Sequence, residues 1–394
     1  MRLWLVLFAV LLARAQQGPA PDLSLLSRIK GKVAENLRRL PNYTCTQTIV
    51  RSLRRKPSAK LQRLDTVRLE IAYVGGKELY GWPGSGKIDQ SQITKLVGGT
   101  IGNGDFAVLP SSIFLGESAK FRYQGESVLE GKPSVRFDYA VPRLASGYQL
   151  QSGATAAIVG YHGSFWVDPE SLDLMRLEVA ADDIPGGLKL ASAIDRMEYD
   201  HISIGGTKFL LPRGAELDIT DSLGSVSQNR MRLQSCHEFV GESALSFADI
   251  PAESFVAPSK PSLAKLDLPD DFSMEIGLDT AIDSASSAVG DAVQATLRQT
   301  VLADGEAVIP KGAKVSGHIA RLERRAGLFQ VDLAFDSLDL KPGHADLSQR
   351  ENDVTGSSLE PLIFRLDHVK LARGTRLLLR SRLVKSEDHD PVRQ

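Results

Sequence analysis

The sequence predicts a mainly β (α+β) protein. It has an N-terminal helix packed on a curved antiparallel sheet, a half-barrel, and then a small C-terminal β-barrel. Three observations predict it. One early stretch, residues 22–40, repeats its apolar residues at helical spacing. From Tyr43 to Phe247 the chain runs in strand-length segments broken by short Gly, Pro and Asp turns. Phe247–Leu268 is Pro-, Ser- and Ala-rich and lacks periodicity, and beyond it a second set of short strands begins.

Taken in order, Met1–Ala15 reads as a secretory signal. Arg2 supplies the positive end, and Leu3–Leu12 is too short to span about 30 Å of hydrocarbon. Ala13-Arg14-Ala15 is a small-x-small cleavage site, which places the cut before Gln16 and the mature protein in the periplasm or outside the cell. No later stretch is apolar for long enough to predict a transmembrane segment in the mature chain. The helix carries Leu23, Leu26, Ile29, Val33, Leu37 and Leu40 on one stripe and ends at Pro41-Asn42. Its Arg and Lys residues read as a solvated face.

The strands expected next are Cys45–Leu53, Asp65–Val74, Ala119–Leu129, Ser134–Val141, Ala156–Val167, Leu172–Ala181, Leu190–Ile204, Lys208–Leu211, Ala215–Asp221 and Ser225–Phe239. Long strands and short turns predict an antiparallel meander. One interruption, Asp105–Leu115, reads as a short helix after the Gly98–Gly104 loop. The second set comprises Phe272–Asp279, Ala288–Leu297, Val308–Ile319, Leu328–Leu340, Pro361–Leu371 and Gly374–Val384. The domain plan is therefore a signal at 1–15, a helix and half-barrel at 22–247, a linker at 248–268, a small barrel at 269–384 and a charged, disordered tail at 385–394.

Two segments carry a resemblance. Gly163–Glu170 followed by Leu174–Leu177 looks like the Gly-x-aromatic-Trp-Val-Asp-Pro hairpin of periplasmic lipoprotein-carrier-like (LolA/LolB-like) domains. Tyr43–Val50 resembles the first strand of exported domains of this kind in acidobacterial proteins. The resemblance covers about residues 22–247, and it implies a half-barrel that binds acyl chains. Gly290–Leu297 with Ile309–Gly317 looks like the small β-barrel of TrbI-like proteins over about residues 270–384. It implies a binding or assembly unit.

Composition narrows the function classes. With 47 Lys and Arg against 48 Asp and Glu, the formal charge is −1, and no basic excess argues for nucleic acid. Cys45 and Cys236 are the two cysteines. In an oxidising compartment a disulfide between them is the expectation, against two separate buried thiols. They lack the spacing of a zinc site. His237 follows Cys236 but points to the opposite face of a strand, so the two do not form a catalytic pair.

Chemistry-bearing motifs are absent or broken. Gly81–Lys87 approaches a phosphate-cradling loop, but Ile88 stands where Ser or Thr should hold magnesium. Gly102-Asn103-Gly104 lacks a surrounding βαβ unit. The seven histidines lack metal-ligand spacing. Asp182-Asp183 and Asp270-Asp271 read as solvated turns, and Asp332 and Asp336 as a solvated strand face. Trp166 is expected in the core, and Asn42-Tyr43-Thr44 is a glycosylation sequon.

The expected function is a non-catalytic binding or carrier module of the cell envelope, with no cofactor and no metal. Its partner would be a lipid or other apolar ligand in the half-barrel, or an envelope protein. The alternative is an assembly component acting through the C-terminal barrel. A hydrolase would require a nucleophile and base brought together from distant positions.

Overall fold

A helix ends where proline forbids it to continue, and a sheet begins there. In the computed structural model of the chain, which describes residues 21–85, 88, 108–153, 155–239, 273–303, 306–325, 327–340, 343–346, 361–366 and 368–380, helix α1 is Pro21–Arg39. Ile29 and Val33 are buried on its apolar stripe. The signal, the Gly98–Gly104 loop, the linker, Asp270-Asp271 and the charged tail lie outside the described residues.

The first sheet contains β1 (Tyr43–Arg54), β2 (Gln62–Val74), β3 (Lys77–Gly81), β4 (Lys120–Leu129), β5 (Lys132–Val141), β8 (Gly160–Val167), β9 (Leu174–Asp182), β10 (Leu190–Ile204), β11 (Thr207–Asp221) and β12 (Val226–Glu238). A two-stranded ribbon, β6 (Gln149–Ser152) with β7 (Thr155–Ile158), stands off the β5–β8 connection. The ten strands are ordered β3-β2-β1-β12-β11-β10-β9-β8-β5-β4, and the pairings are antiparallel.

This order corrects the expected meander. The chain leaves one edge of the sheet at β3 and re-enters at the other edge with β4, so first strand and last strand meet in the middle. The β1/β12 seam joins the two ends of the unit, and no local turn enforces it. It is held by a ladder from Tyr43↔Glu238 to Arg54↔Val226 and by a disulfide between Cys45 and Cys236. The ladder slips between Thr44 and Thr46, and Ser235 takes a positive φ of 50° beside the bridge.

Other differences have local causes. Ala156–Val167 divides at Val159, whose amide is drawn to the carbonyl of Tyr148. Lys208–Leu211 and Ala215–Asp221 are one strand, β11. Pro212 interrupts it at a register slip opposite Tyr199, where a missing amide costs least. Of the segment read as a short helix, the described part is an α-turn at Val108–Pro110 that widens into a π-helical turn at Ser111–Leu115. Trp166 is on the outer face, not in the core. Alternation turns Phe165 and Val167 inward, and the guanidinium groups of Arg136 and Arg176 stand 5.3 and 5.9 Å from the Trp166 ring centre.

The second unit contains β13 (Ser273–Leu278), β14 (Ile282–Asp283), β15 (Ala292–Leu297), β16 (Val301–Ala303), β17 (Glu306–Ile309), β18 (Lys314–Arg325), β19 (Leu328–Leu340), β20 (Gly343–Asp346), β21 (Leu362–Phe364), β22 (Lys370–Leu371) and β23 (Arg376–Arg380). Seven of these form a sheet with the path β20-β19-β18-β15-β13-β23, with β21 also pairing to β19. Asp332, read as solvated, is buried. Both its oxygens accept from the Gln330 amide, at 3.2 and 3.1 Å.

The second unit docks on the edge of the first. Val289 bridges to β2: its amide donates to the Thr66 carbonyl (2.8 Å) and its carbonyl accepts from the Arg68 amide (2.7 Å). Arg68 also pairs with Asp291, and Trp82 stacks on His318 with ring centres 4.6 Å apart. Gly290, at φ 93°, passes between: a Cβ there would overlap the Arg68 carbonyl oxygen and the Trp82 ring.

Candidate functional site

Alternation decides which side chains a strand turns inward, and register decides which of them meet. Phe137, Phe165, Leu177, Met197, Ala215, Met231, Ile49 and Val67 stand opposite one another in turn across β5, β8, β9, β10, β11, β12, β1 and β2. All are buried. They form an apolar row across the concave face.

Two residues further along the strands the next row changes character. Tyr139, Gly163, Val179, Asp195, Leu217, Asn229, Arg51 and Asp65 follow in the same strand order. Asp65 and Arg51 form a bidentate ion pair, with Arg51 Nε donating to Asp65 Oδ1 at 2.7 Å. Asp195 and Asn229 are each 2% exposed. The Tyr139 hydroxyl donates to the Glu178 carbonyl at 2.8 Å, reaching it across Gly163. On the far side of the apolar row lies Gln47, between Leu69 and Leu233.

Among the described residues, a helix and one short turn cover this face. Helix α1 contributes Ile29 and Val33, and the turn at 108–115 contributes Leu109, Ile113 and Phe114. Phe114 meets Phe165 edge-on at 4.9 Å between ring centres and stacks on Phe121 at 6.4 Å, while Phe137 and Phe165 stack at 5.3 Å. Ser112 anchors the turn: its hydroxyl donates to the Leu109 carbonyl (2.9 Å) and shares a hydrogen bond with the Tyr161 hydroxyl (3.0 Å).

Burial, then the nearby Tyr161, Tyr199 and Tyr148 hydroxyls and Asp195, holds the Tyr139 phenol well above its ordinary range. At the other end Tyr43 is raised by burial, then by Glu78 and Tyr73, onto whose ring it stacks at 5.4 Å. The sign follows. Below about pH 10 both folded and unfolded chains keep these protons, and stability is complete. Above it the unfolded chain ionises first, so the folded state binds more protons and stability falls as pH rises, by about 1.4 kcal/mol per unit per tyrosine. Urea midpoints at pH 9, 10 and 11 should fall across the last interval, and Tyr139→Phe should make that fall shallower. A midpoint that is flat to pH 11 contradicts the burial of both phenols.

The opposite face bears a groove of about 550 Å³, lined by Lys120, Arg122, Arg136, Asp138, Glu178 and Arg196 among others. Its charges answer one another. Asp138 accepts from Arg122 (3.1 Å), Arg136 (3.0 Å) and Ser164 (2.8 Å), and Arg196 donates to Asp218 at 3.0 Å. Burial raises the Asp138 carboxyl, but those hydrogen bonds and the Arg136 charge outweigh it and hold it below the ordinary range.

The residues singled out from sequence fall as follows. Cys45 and Cys236 are bonded to each other, and His237 stands on β12 beside that bridge. Trp82, in the glycine-rich Gly81–Lys87 segment, is a packing residue against His318. Asp182 meets His162 at 2.7 Å on an exposed strand end. Among the described residues, no group of three or more His, Cys, Asp and Glu is placed to hold a metal ion. Among them too, no helix is long and apolar enough to cross a membrane. The inward polar row was not anticipated. Its signal was present in Ala193-Ile-Asp195-Arg-Met197, where an acid stands in an inward position.

No protein-family profile and no curated protein matches the chain. Solved structures do. A putative outer membrane lipoprotein-sorting protein domain from Vibrio parahaemolyticus is 12% identical, with 56% of this chain and 95% of its own covered at a TM-score of 0.30. A DUF1329 family protein from Desulfovibrio piger is 10% identical over 57% and 97%, at 0.32. The lipoprotein LppX of Mycobacterium tuberculosis is 12% identical over 56% and 98%, at 0.22. Each of these likenesses spans just over half of this chain and nearly the whole of the other.

Proposed function

We propose that the N-terminal unit is a carrier module of the cell envelope that takes an apolar chain against the concave face of its sheet. One observation carries the proposal: the mismatch between the face and its cover. Ten strands spaced about 4.8 Å apart make an arc of roughly 45 Å, whereas a helix with its side chains is about 10 Å across. Among the described residues, the continuous apolar row beneath is closed by one helix and by a short turn that inserts Ile113 and Phe114. A π-helical turn has poorer hydrogen-bond geometry than an α-helix and commonly marks a functional position. In this reading Phe114 occupies the place of the ligand's chain, and the turn at 108–115 yields when the ligand enters. The second unit, TrbI-like in its Ile309–Gly312 corner, braces the β2 and β3 edge. The protein works in the periplasm or outside the cell, its signal cut before Gln16, and it performs no catalysis.

Two measurements test this. Solvent extraction of the purified protein followed by mass spectrometry should recover an acyl-chain lipid. Phe114→Ala should bind the apolar fluorophore 1-N-phenylnaphthylamine about tenfold more tightly than the parent chain, because a vacated aromatic site accepts an aromatic guest. If no lipid is recovered and neither protein binds the fluorophore, the carrier reading is wrong.

A further inference from the structure

A buried amide oxygen without a donor is costly, and proteins keep few of them. Gln47 is such a case. It is 2% exposed on the concave face, and its Oε1 has no hydrogen-bond partner among the described residues. Its Nε2 faces the Met231 sulfur at 3.5 Å. Sulfur accepts weakly and does not donate, which fixes the amide this way round and leaves the oxygen as the unmet group. Its neighbours in the sheet bring no side-chain donor: Cys45 and Ile49 flank it along β1, and Leu69 and Leu233 stand opposite it on β2 and β12.

The helix supplies a second unmet atom of the opposite sense. Asn36 follows Ile29 and Val33 on the buried stripe of α1, and its Nδ2 is a buried donor without a partner among the described residues. Replacing both residues with apolar ones of like size would remove the cost. An apolar cavity built for hydrocarbon alone has no use for either amide, whereas a site that orients a headgroup needs a few placed polar groups in an apolar lining.

We propose that Gln47 is a headgroup-recognition residue: its Oε1 accepts a hydrogen bond from a hydroxyl or amide N–H on an amphipathic ligand whose chain lies along the apolar row. This rests on the carrier reading and narrows it, from any apolar molecule to a long-chain alcohol, acylglycerol or fatty amide.

The experiment compares 1-hexadecanol with hexadecyl methyl ether, which keeps the chain and the oxygen but lacks the donor. Competition against 1-N-phenylnaphthylamine should show the alcohol binding about tenfold more tightly to the parent chain, the size expected when a buried acceptor is otherwise left unpaired. Gln47→Met should erase that ratio by weakening the alcohol and leaving the ether unchanged. It should also raise the unfolding midpoint, since it removes the unpaired group. Equal binding of alcohol and ether to the parent chain overturns the headgroup assignment and leaves the carrier reading standing. Binding of neither overturns both.

Discussion

Removing the Cys45–Cys236 bridge, by the double substitution Cys45→Ala with Cys236→Ala, should cost about 5 kcal/mol of stability, the largest effect expected of any change considered. The two cysteines are 191 residues apart. In the chain-entropy model a closed loop of that length removes roughly 5 kcal/mol of freedom from the unfolded state. The lost burial of two thiol-sized groups acts in the same direction and is on the order of 1 kcal/mol, so the entropic term dominates the result. Domain stabilities are about 5–15 kcal/mol, so the change approaches the whole margin.

The position of the bridge matters as well as its loop. Each other neighbouring pair in the sheet is joined by a local connection, apart from the pairing of β5 with β8 across the β6–β7 ribbon. The β1/β12 seam unites the two ends of the unit. With the bond gone, the folded ladder is unchanged, but an open unfolded chain gains surface. Urea titration should therefore show a lower midpoint together with a larger m-value. Dithiothreitol should reproduce both changes in the parent chain and neither in the double variant. Identical midpoints for the two proteins would mean that the seam is held by its ladder alone.

What was legible in the sequence tracks the regularity of alternation. Leu190–Ile204 and Leu328–Leu340 are strands with the bounds read from sequence, because each is long and a glycine stands directly beyond one end, Gly205 after the first and Gly327 before the second. Strand β1 alternates loosely for a reason now evident: Gln47 and Arg51 occupy inward positions that a core strand would give to apolar residues. The residues that blur the strand pattern are thus the residues of the candidate site. Short elements gave too little pattern, and β3 at five residues went unread. The permuted strand order was illegible because nothing local encodes the β1/β12 pairing. Only the cysteine pair hinted at it. Trp166 was misplaced by residue type, although the Phe165–Val167 alternation already turned it outward.

Gly163→Ala should cost about 3–5 kcal/mol, and it explains why glycine stands in the Gly163–Glu170 hairpin. The φ of Gly163 lies outside the left-handed range, so conformational freedom is not the reason. Space is. Gly163 faces inward beside Tyr139, in the register where the β8/β9 ladder passes from His162↔Ala180 to Phe165↔Leu177. The Tyr139 hydroxyl fills that interval and donates to the Glu178 carbonyl. A Cβ on residue 163 would overlap that carbonyl oxygen and stand 3.0 Å from the hydroxyl. The strands must part, which leaves a buried hydroxyl and a carbonyl unpaired at about 1–3 kcal/mol each, on top of the strain of overpacking.

Tyr139→Phe separates the two contributions. Alone it removes the hydrogen bond and should cost about 1–2 kcal/mol. Combined with Gly163→Ala it should add nothing and recover part of the cost, because the hydroxyl that the alanine leaves unpaired is gone. The double-mutant cycle therefore predicts strong non-additivity, read from urea midpoints at constant m-value. Additive costs would show that the hydroxyl survives the alanine, and that the carbonyl clash alone accounts for the glycine.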